Sequence, residues 1–283
     1  RKKSGLPGGQ KPFGFKLTED LPSGKTKDVS LFRVNPGEKD VPLLILDAAR
    51  VETAEAPSVR VHHGIKFNGS FGHIIVCACH RSAGCPIDPV FTRPNKFTGK
   101  TEPTRGAWRW VLTGIKMKPF TYTKGKLAGK TVPFQRCAVL VPERAGPSGG
   151  VTYDDVMAYR EQFDADGGLR GRVFNVRRSS DSKSSTIGTM WTPSAHLTDE
   201  QMMAKFEQAA ADYGLPVERY IAPFDYERVL RVLPEDELER AAKWIAAEIG
   251  ASTTEQQAPK VLPVSQSTVD TTAEDDDSDE IPF

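Results

Sequence analysis

Between Lys96 and Lys130 the chain alternates cations with flat rings. Lys96, Lys100, Arg105, Arg109, Lys116, Lys118, Lys124, Lys126 and Lys130 are interleaved with Phe97, Trp108, Trp110, Phe120 and Tyr122, and no acid falls between Lys116 and Lys130. A later stretch repeats the mixture with Arg170, Arg172, Phe174, Arg177, Arg178, Lys183 and Trp191. Such a set can bind single-stranded nucleic acid without regard to sequence. Cations track the phosphates, and each aromatic face stacks on a base for about 1–3 kcal/mol. Any one of these rings is more commonly a core residue. The whole set is harder to explain as packing.

A second constellation is CACHRSAGCP. Cys77 and Cys79 lie two apart on an expected strand, so they share a face; His80 follows, and Cys85 comes after a short loop. Thiolate and imidazole donors around a loop suit tetrahedral zinc. His63, His73 or Cys137 would complete the set. The competing expectation is small buried thiols on an apolar strand.

Other chemistries find no support. The chain has no GxSxG elbow, no P-loop and no GxGxxG after a strand. His62, His63, His73, His80 and His196 show neither HExxH spacing nor the HxE before a Cys pair of zinc deaminases. The expectation is a binding protein rather than an enzyme. No run of about 18 apolar residues suggests a membrane span, and no signal-peptide core is present, so an intracellular setting is expected. Arg1 in place of Met is read as a trimmed start.

The formal charge of +1 conceals a separation. Residues 251–283 hold eight acids and one lysine, net −7; taking these from totals of 37 acids and 38 bases leaves 29 and 37, net +8. Six of the acids fall in seven residues, Glu274 to Glu280, ahead of Ile281, Pro282 and Phe283. A basic body tethered to an acidic tail is the polarity of a polyanion binder carrying its own competitor.

The elements that must position these residues read as mainly β with added helices. VSLFRV and VPLLIL, separated by the turn signal NPGEKD, are expected strands, as are SVRVHHGIKF, GHIIVCACH, AWRWVLTGIKM, FQRCAVLVP, LRGRVFNVRR and TIGTMWTP. Period-2 alternation puts Trp108, Trp110 and Leu112 on one face. Short strands at this spacing suggest a small barrel or sandwich. Helices are expected where Thr152 caps with Asp155, where Thr198 caps with Gln201 and Gly214 stops, and from Pro234 to Gly250 with Leu238, Ala241, Ala242 and Ile245 on one stripe. The expected division is a flexible basic arm over 1–28, a strand-rich core with the Cys/His-containing sub-domain over 29–195, a helical C-terminal part of that core over 196–250, and a disordered linker and acidic tip over 251–283.

These residues carry a resemblance. The tail DDDSDEIPF is similar to the acidic, Ile-Pro-Phe-ended tip of bacterial single-stranded DNA-binding proteins. Over roughly 29–250 the body resembles phage-type, helix-destabilising single-stranded DNA-binding proteins related to that of phage T4, on HHGIKF…CACHRSAGCP, RWVLTGIKMKPFTYTKGK and LRGRVFNVRRS. The resemblance implies an OB-fold barrel, a small zinc-binding sub-domain, and coating of single strands in replication, recombination and repair. It implies a groove lined by Arg109, Trp110, Lys116, Lys118, Phe120 and Tyr122 on one side, and by Arg172, Phe174, Arg177 and Arg178 on the other. Arg105, Lys124 and Trp191 extend the candidate set.

Asp275, Asp276, Asp277, Asp279, Glu280, Ile281, Pro282 and Phe283 would engage a polymerase, helicase or recombinase. RKKS at 1–4 and RRSS at 177–180 resemble the basic-then-hydroxyl motif for neighbour-to-neighbour association on DNA. The setting implied is the nucleoid-associated cytoplasm of an infected bacterial cell. One departure stands out: Cys85 is followed by Pro86, Ile87 and Asp88, so the second cysteine of the family's CxxC pair is absent. The alternatives are an RNA-binding or transcription-associated OB protein and, behind it, a zinc-dependent nucleic-acid enzyme.

Overall fold

A computed structural model describes residues 17–47, 58–67, 70–77, 85–90, 92–94, 101–103, 106–121, 129–146, 148–181, 183–230, 236, 238–243 and 245–247. In chain order the strands are β1 (Thr18–Asp20), β2 (Thr26–Asp28), β3 (Ser30–Leu31), β4 (Val41–Ile45), β5 (Ser58–Phe67), β6 (Ser70–Cys77), β7 (Thr92–Pro94), β8 (Thr101–Pro103), β9 (Ala107–Lys116), β10 (Phe120–Thr121), β11 (Thr131–Val132), β12 (Gln135–Pro142), β13 (Arg172–Arg177) and β14 (Met190–His196). The helices are α1 (Tyr153–Gln162), α2 (Asp199–Tyr213), α3 (Val217–Tyr220) and α4 (Tyr226–Val229).

The fold is mixed α+β, mostly strands with few helices. The main sheet has eight strands along the path β14-β13-β4-β9-β12-β3, with β5 and β6 joined at the side of β9. Its hub is β9, a ten-residue strand. Along one edge it takes β5 at residues 107–110 and β4 at 114–116; along the other it pairs with β12 from Arg109 to Lys116. Among the described residues this path does not close into a barrel, so the barrel expected from strand spacing is not what the ladder shows.

The alternation along β9 is the expected one, and packing shows what each face does. Trp110 and Leu112 enter a core with Phe32, Leu43, Ile45, Val139, Phe174, Val176 and Trp191, covered by α1. Val111 and Ile115 point to the other face, where Val111 meets Phe224 and Val229 and Ile115 meets Met202, Phe206 and Tyr220. Because both faces are covered, the strand centre is apolar on every residue from 110 to 115 apart from Thr113 and Gly114. Thr113 is fully buried, and its hydroxyl accepts the Phe224 N–H at 2.8 Å.

The helices form where the local signals require. Thr152 and Asp155 close a capping box on α1, as do Thr198 and Gln201 on α2, and Gly214 terminates α2 at φ 84°. The stripe Leu238, Ala241, Ala242 and Ile245 is buried. One expected boundary changes. Residues 17–28 belong to the folded body rather than to a flexible arm: β1 and β2 form an antiparallel hairpin anchored by buried Leu17 and Val29. The helical part shares its core with the sheet, since Met202 and Phe206 pack with Leu44, Ile115 and Val173.

Candidate nucleic-acid interface and metal cluster

The C-terminal ends of β9 and β13 and the N-terminal end of β4 meet at one end of the main sheet. Register fixes this: Lys116 lies opposite Leu43, and Val176 lies opposite Val41. Past the end of β9 come Lys118, whose side chain is 47% exposed, and Phe120, 37% exposed. Arg177 emerges from β13 with its side chain 48% exposed, and exposed Met190 is its cross-strand partner on β14. Lys116 is half-buried, and burial pulls its ammonium below the ordinary lysine range. Three cations, one aromatic ring and one flexible thioether therefore project from neighbouring strand ends. A phosphate track beside a stacking surface needs this arrangement.

The segment joining β3 to β4 touches all three cations. Lys116 Nζ donates to the Arg33 carbonyl at 2.7 Å, Lys118 pairs with Glu38, and Arg177 Nη2 lies 3.8 Å from Asp40 Oδ1. Partial burial pushes the Glu38 carboxyl up. The hydrogen bonds from Lys118 and from the Asn35 N–H outweigh that and hold it below its ordinary value.

The structure does not gather the whole candidate set here. Phe174 and Trp191 are core residues, 0% and 2% exposed, and Trp110 is buried and stacks on Tyr153 at 3.9 Å. None of the three has a face to offer a base. Arg178 is buried, with Nε on the Ser184 hydroxyl and Nη1 on the Val34 carbonyl, so it braces the 178–184 loop. Arg172 bonds Asp166 at 2.9 Å and lies over Phe163 at 4.2 Å, which locks the turn after α1 to the sheet.

Arg109 is at the other end of β9 from Lys116 and on the opposite face. Lys116 is seven residues along the strand from Arg109, roughly 24 Å. Burial lowers the Arg109 guanidinium below its ordinary value. Arg109 and Lys116 therefore do not line one side of one groove. Arg105, Tyr122 and Lys124 lie outside the described residues, as do Cys79, His80 and residues 275–283.

At the start of β9 the structure assembles a different cluster from the one expected. His62, Cys85 and Asp88 each offer a donor atom, all within 4.8 Å of one another, and the group could hold a metal ion. His62 Nε2 is 3.4 Å from Cys85 Sγ, and His62 Nδ1 is 3.8 Å from Asp88 Oδ1. Asp88 also accepts from Arg60 Nη2 at 2.5 Å and from the Gly106 N–H at 3.1 Å. A Cβ at Gly106 would sit 2.8 Å from His62 Cε1 and 2.9 Å from Arg60 Cγ, so any larger residue there would displace these side chains.

Of the four cysteine and histidine residues singled out for the metal, Cys85 joins the group. Cys77 is placed by register opposite Arg60, two residues along β5 from His62. Cys137 is excluded: it lies in the sheet core, donates to the Gly114 carbonyl at 3.4 Å, and burial pushes its thiol up to about 12. His62 rather than its neighbour His63 supplies the described imidazole. Strand alternation sends adjacent side chains to opposite faces, and nothing in HHG says which of the two meets Cys85.

No protein family, curated protein or solved structure matches this chain. Among the described residues no helix is long and apolar enough to cross a membrane.

Proposed function

We propose that this chain is a sequence-independent single-stranded DNA-binding protein of the phage helix-destabilising type, acting in replication, recombination and repair. The observation that carries the reading is the row Lys116, Lys118, Phe120 and Arg177 at one end of the main sheet, with charged and aromatic groups exposed together. The +8 body and −7 tail add to it. In this reading the strand ends are the working edge of an OB-type groove. Residues 274–283 compete with DNA for the cations. When displaced, they recruit a polymerase, helicase or recombinase through Ile281, Pro282 and Phe283.

The metal cluster takes a structural role in this account. Lys116 is ten residues along the chain from Gly106, roughly 34 Å of strand. That distance sets the cluster apart from the cations at Lys116 and Lys118, which fits a structural rather than a catalytic metal. The donor set favours zinc, since bonds of about 2.3 Å to sulfur and 2.0–2.1 Å to nitrogen put tetrahedral S and N ligands about 3.6 Å apart, close to the 3.4 Å between Cys85 Sγ and His62 Nε2. Cys77 is the register-placed candidate for a fourth ligand. Cobalt(II) added to the apo-protein should give a thiolate charge-transfer band that Cys85→Ser abolishes. A spectrum unchanged by that substitution removes the metal from the account.

The nucleic-acid reading is tested by titrating a fluorescent oligo-dT at several salt concentrations. Binding should weaken steeply with salt. Competition between oligo-dT and oligo-U of equal length separates this reading from an RNA-binding one.

A further inference from the structure

The segment Arg33–Asp40 is built as a turn and then fixed in place. Asn35-Pro36-Gly37-Glu38 is a type II turn: the Glu38 N–H donates to the Asn35 carbonyl at 3.0 Å, and Gly37 has φ 74°. Two backbone bonds then pin it to the chain leaving β13: Gly37 N to the Ser179 carbonyl at 3.0 Å, and Arg178 N to the Glu38 carbonyl at 2.9 Å. Glu38 Oε2 accepts the Asn35 N–H at 2.9 Å, which aims the other oxygen at Lys118. Asp40 is the one described non-glycine residue in the left-handed region, at φ 55°. That conformation is uncommon outside glycine, though Asp and Asn tolerate it better than most. An ordinary loop does not require a fixed turn, a left-handed aspartate and two carboxylates set on the exposed cations of a neighbouring surface.

We propose that this loop is an in-built phosphate mimic, in which Glu38 and Asp40 occupy Lys118 and Arg177 until a nucleic-acid backbone displaces them. The inference rests on the nucleic-acid reading above and names how that same surface is regulated. The exchange is one of charge partners. A phosphate takes the cation and sheds its condensed counterion, while the released carboxylate takes a cation back from solution. Each exchanged pair therefore lowers affinity and flattens the salt dependence. The competitor belongs to the folded body and so acts whether or not the acidic tail is present. It favours long strands, whose many phosphates can meet several cations at once, over isolated phosphates or nucleotides.

The test is oligo-dT anisotropy across salt concentrations with four single variants of the full chain. Glu38→Gln keeps an acceptor for Asn35, and Asp40→Asn keeps a residue at home in the left-handed region. Glu38→Gln should tighten binding about five-fold at low salt, the range open to a surface ion pair. Asp40→Asn should give about two-fold, because its partner is 3.8 Å away and both side chains are well exposed. Both should steepen the dependence of affinity on salt. Lys118→Gln and Arg177→Gln should weaken binding. Unchanged or weaker binding in the two acid variants, with the cation variants still weakened, overturns the loop mechanism and leaves the nucleic-acid reading standing. If the unmodified chain shows no salt-sensitive binding, both fall together.

Discussion

At the scale of single residues, the aromatic and cationic candidates divide by what covers them. Phe120 is the exposed ring at the strand ends, so Phe120→Ala should cost about 1–3 kcal/mol of oligonucleotide binding and leave the denaturation midpoint nearly unchanged. Trp191→Ala should do the reverse. It removes a ring packed at 5.5 Å from Phe174 and a buried indole N–H bonded to the Ile187 carbonyl at 2.8 Å, a loss of about 3–5 kcal/mol of stability. Equal effects of the two substitutions on binding and melting would contradict this division.

The sequence makes the partition only half legible. Alternation along AWRWVLTGIKM says which residues share a face, and β9 follows it. Alternation cannot say that α1 covers that face, because the cover comes from a helix far along the chain, with Tyr153 stacked on Trp110. The same limit hid His62 behind His63. Asp88 was unremarkable among 37 acids until the fold set it beside His62 and Arg60. Glu38 and Asp40 read as turn residues, which they are, while their second role depends on strands far off in the chain.

At the scale of elements, a buried polar clasp joins β4, β9 and the start of α4. Asp47 accepts the Thr113 N–H and the Tyr226 hydroxyl, both at 2.5 Å, and Thr113 Oγ1 lies 2.8 Å from the Tyr226 hydroxyl. Beside it Arg136 pairs with Glu19, donates to the Ala222 carbonyl at 2.6 Å and covers Phe224 at 4.1 Å. Burial raises the Asp47 carboxyl to about 6, against the hydrogen bonds from Tyr226 and Thr113 and the charge of Arg136. The folded chain therefore holds a proton that the unfolded chain releases near pH 4. That contribution to stability is complete below about pH 4 and is lost as pH rises through about 6. Asp47→Asn should flatten this part of the stability profile between pH 4 and 7, a component on the order of 3 kcal/mol at most. A profile identical to that of the unmodified chain would show that the clasp does not titrate there. Helix ends were the most legible elements, because caps are local: both capping boxes and the Gly214 stop were readable from spacing alone. The β1–β2 hairpin was not, since its charged, Gly- and Pro-flanked sequence gives no hint of the buried partners waiting for Leu17 and Val29.

At the scale of the whole molecule, charge is separated three ways. A basic body carries exposed cations at one sheet end, an acidic loop sits on those cations, and an acidic segment follows at 274–280. Deleting residues 274–283 should tighten DNA binding at low salt and abolish recruitment of partner proteins, and unchanged affinity together with unchanged recruitment would remove the tail from the account. Composition made the first and third of these visible, and the fold supplied the second. The measurement that bears most directly on the central claim is the oligo-dT titration of the unmodified chain at rising salt, repeated with a Lys118→Gln, Arg177→Gln double variant. The logarithm of the binding constant should fall linearly with the logarithm of salt concentration, with a slope smaller in the double variant by less than about 1.4, because the roughly 0.7 released per phosphate contact on a single strand is partly offset by the cation each displaced carboxylate takes up. Binding with no dependence on salt, or a slope untouched by removing both cations, would contradict it.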